Sequence, residues 1–106
     1  MTLDEFRQSL KQREPPAVAV SLRALWQDAN GNWSEAHEAV QDDDSRDAAW
    51  VHAYLHRKEG DSANARYWYG RAGRAFPSMS LEEEWALIAR DLLGSRSPGT
   101  PPRASS

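Results

Sequence analysis

Helix starts and stops punctuate this chain from end to end, and almost nothing in it can build a sheet. It holds four valines and one isoleucine. No run alternates apolar and polar residues in the period-two pattern of a half-buried strand. Thr2 with Glu5 spells a capping box, in which hydroxyl and carboxylate serve the first free N–H groups of a helix. It opens a short helix through Leu3, Phe6 and Leu10. Pro15 and Pro16 end that segment, and Pro16 suits the first turn of the next helix. There Val18, Leu22, Leu25, Trp26 and Ala29 recur at helical spacing.

Asn30-Gly31 stops that helix, because both residues tolerate the left-handed backbone that helix ends require. Asn32 with Glu35 reads as a second capping box, leading into Trp33, Ala36, Ala39 and Val40. Asp44 or Ser45 caps a helix over 46–59, which Gly60 closes. Asp61 caps the next, through Ala65, Trp68, Tyr69, Ala72 and Phe76 to Pro77. Gly70 and Gly73 fall inside it and suggest close approach of a neighbouring helix. Ser80 with Glu83 opens the last helix, whose stripe is Leu81, Trp85, Ile88, Ala89, Leu92 and Leu93; Gly94 ends it.

The fold class is therefore all-α: a bundle of stacked antiparallel helical hairpins, about five main helices and a short N-terminal one. A chain of 106 residues has room for one domain, here 1–94. Residues 95–106, SRSPGTPPRASS, offer no apolar face and are expected to form a disordered tail. Helix 46–59 sets Trp50, Val51, Tyr54 and Leu55 on one broad side and fills much of the rest with Ala48, Ala49 and Ala53. Such a helix meets neighbours on several sides and belongs at the centre. Trp26, Trp33, Trp50, Trp68 and Trp85 fall one to each main helix, so aromatic rings packed on alanines should build much of the core.

Composition narrows the function. The absence of cysteine excludes a disulfide scaffold, a thiolate metal site and a cysteine nucleophile. The first ten residues carry acids where a signal peptide needs a basic region. The longest apolar stretch, 17–20, is far too short for a bilayer. These features suggest a cytoplasmic protein without a membrane association. A net charge of -3 disfavours nucleic acid as partner. Glu35, Glu38, Asp42, Asp43, Asp44 and Asp47 form an acidic stretch, and Arg57, Lys58, Arg66, Arg71 and Arg74 a basic one. The two are expected to attract each other within the fold.

His52 and His56 stand four apart on one helical face, the spacing at which two imidazoles can share a metal ion. His37 could supply a third ligand, with Glu38, Glu59 or Asp61 as a carboxylate. Ala53 occupies the place where a zincin carries its glutamate, and hydrogen-bonded core histidines are the structural alternative. Asp42-Asp43-Asp44 lacks the glycine and distal glutamate of a calcium loop. No serine sits in a nucleophile elbow. Tyr67-Trp68-Tyr69 spans about 200° of helix, so one core face cannot take all three. Tyr67 then lies at the margin beside Arg66 and Arg71, a composition favoured at protein interfaces.

Gly31-Asn32 with Ala36 matches Gly60-Asp61 with Ala65 at an offset of 29 residues, as stacked helical hairpins would. The second hairpin resembles the tetratricopeptide and Sel1-like repeats over residues 46–77. Gly60, Ala65, Tyr69, Ala72 and Pro77 fall at the spacings of those families, and Trp68-Tyr69 with Ala72 matches the Sel1-like Trp-Tyr-x-x-Ala. His52 and His56 stand where the family usually has leucine and tyrosine. The stretch WVHAYLHRKEGDSANARYWYGRAG is also similar to the signature of a small uncharacterised bacterial family, which implies no activity. The repeat resemblance implies a non-enzymatic interaction or scaffold module without a cofactor. Its surface would use Trp50, His52, Tyr54, His56, Arg57, Tyr67 and Arg71. The partner would be an unidentified protein, with a second copy of the chain admissible. The alternative is a small-molecule or metal-binding protein, or a hydrolase, built on a His37/His52/His56 pocket.

Overall fold

The computed structural model describes residues 1–95; of the tail expected over 95–106, all but Ser95 lies outside the described residues. Among the described residues six helices follow one another: α1 Leu3–Ser9, α2 Val20–Ala29, α3 Trp33–Gln41, α4 Arg46–Lys58, α5 Ser62–Ala72 and α6 Leu81–Ser95. Among the described residues there is no strand. No helix among them is long and apolar enough to cross a membrane.

α4 is the centre of the bundle. Every residue from Ala48 to His56 is buried, and the helix touches α2, α3, α5 and α6. The expected alternation of rings and small residues is what fills the interior. Phe6, Trp26, Trp50, Tyr54, Tyr69 and Trp85 pack against Ala24, Ala36, Ala48, Ala53, Ala65 and Ala89. Three indoles also hold helices together by direction. The Nε1–H of Trp26 donates to the Ser9 carbonyl at 3.1 Å, that of Trp33 to Leu55 at 2.9 Å and that of Trp85 to Leu25 at 3.1 Å. A ring that buries its body and donates its N–H leaves no polar atom unpaired.

Two hairpins, α2–α3 and α4–α5, turn in the same way. Gly31 and Gly60 adopt φ of 84° and 90°, where a side chain would be strained. In the first, Gly31 N–H donates to Asp28 and Asn32 N–H to Gln27; in the second, Gly60 donates to Arg57 and Asp61 to His56. This is the Schellman closure, which satisfies the last carbonyls of the incoming helix. It also explains why the Asn32–Glu35 capping box does not form. The N–H that Glu35 would accept is already given to Gln27, and the Asn32 amide turns to Gln27 Oε1 at 3.3 Å. Asp61 does cap α5, accepting from the Asn64 backbone at 3.2 Å. The Thr2–Glu5 and Ser80–Glu83 boxes and the Ser45 cap form as expected.

Other expectations are corrected. α2 starts at Val20, not in the region of Pro16, and Val18 reaches the core from the extended segment before it. α5 ends at Ala72, because Gly73 takes φ of 74° and Arg74 N–H closes on Tyr69. Phe76 therefore meets Tyr69 from a non-helical segment, at 5.4 Å between ring centres. Neither glycine serves close packing: Gly70 is exposed, and a Cβ added there would meet nothing within 4 Å. α6 runs through Gly94 to Ser95. Of the basic stretch, Arg57, Lys58 and Arg74 pair with Glu84, Asp28 and Asp91, carried on α6 and α2.

Candidate functional site

His52 and His56 lie one turn apart on α4, and His37 from α3 comes to meet them. His37 Nε2 and His52 Nε2 are 3.1 Å apart. The ring centres of the three imidazoles lie 4.7 Å (His37–His52), 5.2 Å (His37–His56) and 4.9 Å (His52–His56) from one another. One ring nitrogen from each falls within 4.8 Å of the other two. The rings thus converge on a common point instead of being buried separately.

Two indoles wall this point. Trp33 stacks on His37 at 4.9 Å with an 8° tilt, and its Nε1–H on the Leu55 carbonyl fixes the ring. Trp68 stacks on His52 at 3.9 Å and 18°. Trp33 stands four residues before His37, so both project from one side of α3; that spacing was the available signal for it. Trp68 comes from α5, and its place against His52 follows only from how α4 and α5 pack.

The electrostatics are set by burial. His52 is nearly fully covered; desolvation, with His37 and His56 beside it, lowers its pKa to about 4. Desolvation and His56 also hold His37 below the usual histidine value, against a weaker opposing pull from Glu59 and Glu38. Both rings are neutral at pH 7. Nδ1 of His52 is buried and has no hydrogen-bond partner, a state that costs about 1–3 kcal/mol. His56 differs: its Nδ1 lies 2.7 Å from Glu59 Oε2. Asp61 sits close to the same two residues, but its carboxylate already serves Asn64, through the backbone N–H at 3.2 Å and the side-chain amide at 2.8 Å. Those two bonds pull its pKa down.

The remaining candidates divide. Tyr67 is 56% exposed, and its hydroxyl accepts from Arg71 at 3.1 Å. The Arg71 guanidinium also lies 5.3 Å from the Trp68 ring centre. Tyr67 and Arg71 therefore join the histidines through Trp68. Trp50, Tyr54 and Arg57 are placed elsewhere. Trp50 is buried, with the Arg74 guanidinium over its ring. Tyr54 is buried and hydrogen-bonded to Asp28; burial, then that carboxylate, pushes its pKa up. Arg57 donates to Glu84 at 2.8 Å and to the Met79 carbonyl. Among known proteins, no family model, no curated protein and no solved structure matches this chain.

Proposed function

We propose that the protein is a non-enzymatic, tetratricopeptide-like module of helical hairpins that binds a protein partner beside α5. The observation that carries this reading is the Tyr67–Arg71 pair. Tyr67 is an exposed large aromatic ring, braced by a guanidinium and backed by Trp68. Tyrosine, tryptophan and arginine dominate binding hot spots because they offer large contact area with few rotors and a polar tip. The two hairpins that share a glycine turn at a 29-residue offset support the repeat-like character. Lack of cysteine suits action in the cytoplasm.

The test is affinity capture from native cells with the wild-type chain and the Tyr67→Ala/Arg71→Ala variant. A partner held by the wild type and lost from the variant, with an unchanged melt, is the expected result. Equal capture by both overturns the reading.

A further inference from the structure

A histidine kept for packing pairs its nitrogens with unlike groups: a carbonyl, a carboxylate or a hydroxyl. His52 does neither. Its Nε2 faces another imidazole and its Nδ1 has no hydrogen-bond partner. Three groups of one kind, gathered from two helices and walled by indoles, make a poor hydrogen-bond network. They make a good donor set.

We propose that His37, His52 and His56 hold one divalent transition-metal ion of the zinc or copper class, with Glu59 orienting His56. A tetrahedral ion with metal–nitrogen bonds of about 2.0–2.1 Å keeps its nitrogens roughly 3.3 Å apart. The 3.1 Å between His37 and His52 Nε2 is already close to that edge, and one ring nitrogen from each of the three histidines lies within 4.8 Å of the other two. Little has to move.

The chemistry agrees with the geometry. Imidazole nitrogens are the ligand type such an ion takes. Coordination requires the proton between the two Nε2 atoms to move to an Nδ1; no ring gains or loses charge. Glu59 Oε2, 2.7 Å from His56 Nδ1, matches the carboxylate that orients a ligating histidine. It leaves Nε2 of His56 to face the ion. Three nitrogens suit zinc, copper or nickel, whereas calcium and magnesium need oxygen ligands. The rival set of His56, Glu59 and Asp61 is weaker, because the Asp61 carboxylate already caps α5. Three protein ligands leave one position open for water or an outside ligand.

The experiment is equilibrium dialysis of the full chain, stripped with a chelator, against Zn(II), with Co(II) absorption as a check on tetrahedral nitrogen ligation. One Zn(II) per chain is expected, undisturbed by excess Ca(II). Glu59→Ala should weaken it about 10–100-fold, and His37→Ala by more than that. His37 is only half-buried, so its removal spares the fold; circular dichroism of each variant confirms this. Asp61→Asn should leave affinity unchanged. Folded wild-type protein without stoichiometric Zn(II) overturns the proposal. So does binding that survives His37→Ala, or that Asp61→Asn abolishes, since the ion would then sit elsewhere. Partner capture through Tyr67 and Arg71 is a separate readout, so either reading can fail while the other stands.

Discussion

On the flank of α4 that faces α2 and α6, acid meets base. Glu84, almost wholly buried, accepts from Arg57 at 2.8 Å and from the Tyr69 hydroxyl at 2.5 Å. Asp28, equally buried, accepts from Lys58 at 3.0 Å and from Tyr54. Each carboxylate has a cation and a phenol, and the network is closed. On the flank that faces α3 and α5, three imidazoles meet one another, and one buried nitrogen has no partner. The first arrangement is complete without any further atom. The second has donor atoms to spare. Polar groups buried for stability are complementary; polar groups buried without complements mark a site that something else completes.

The largest expected effect tests the closed flank. Glu84→Ala should cost about 3–5 kcal/mol in urea denaturation, because it leaves the half-buried Arg57 guanidinium without its carboxylate and the buried Tyr69 hydroxyl without its acceptor. Replacing Glu84 and Arg57 together by leucine and methionine should recover a large part of that loss, since no charge is then stranded. A cost below about 1 kcal/mol for Glu84→Ala would erase the contrast between the flanks.

Acid should strike the open flank next. In the unfolded chain His52 takes up its proton near pH 6.5; in the fold it does so only near pH 4. Between those values the unfolded state binds more protons, so metal-free protein loses stability as pH falls from about 6.5 to about 4. His37, also lowered, adds in the same direction. Melting temperature recorded across this window in the presence of chelator checks it, and His52→Leu should flatten the curve. A flat wild-type curve would mean that His52 is solvated and the site is not closed to water.

At neutral pH, His52→Leu itself should cost less than about 1.5 kcal/mol, the range for a volume-conserving core substitution. It removes a nitrogen that had no partner and frees His37 to turn toward water. A loss matching that of Glu84→Ala would place the histidines among the structural networks.

What the sequence revealed and what it hid follows the same division between local and distant partners. The caps at Thr2, Ser45, Asp61 and Ser80 were legible because their partners lie within three residues. The Asn32 box misled because a residue ending one helix and starting the next has a single N–H, and the Schellman closure took it. Gly73 was read as packing when its left-handed backbone ends α5, so Phe76 fell outside the helix assigned to it. The His52/His56 pair was visible at its four-residue spacing, and His37 was a candidate third. That they meet, and that Trp33 and Trp68 wall them, depends on helix crossings that no local pattern records. The partners of Arg57 and Lys58, 27 and 30 residues away, were hidden for the same reason.

The smallest stability effect belongs to the rim. Tyr67→Ala with Arg71→Ala should change stability by less than about 1 kcal/mol. An exposed aromatic–guanidinium pair one helical turn apart contributes about 0.2–0.5 kcal/mol, and the solvent-exposed cation over Trp68 adds about 0.5 kcal/mol. Both side chains are exposed, so neither leaves a cavity. The same variant should keep one Zn(II) per chain, because Trp68 stays stacked on His52 and no ligand is touched. A rim that is dispensable for folding and for the ion, yet required for partner capture, would separate three roles around one helix: a closed network for stability, an imidazole set for metal, an exposed pair for recognition. If instead the double variant loses its metal or costs more than about 2 kcal/mol, Tyr67 and Arg71 hold Trp68 in place. The pair then belongs to the histidine site, and the partner surface must be sought elsewhere on the bundle.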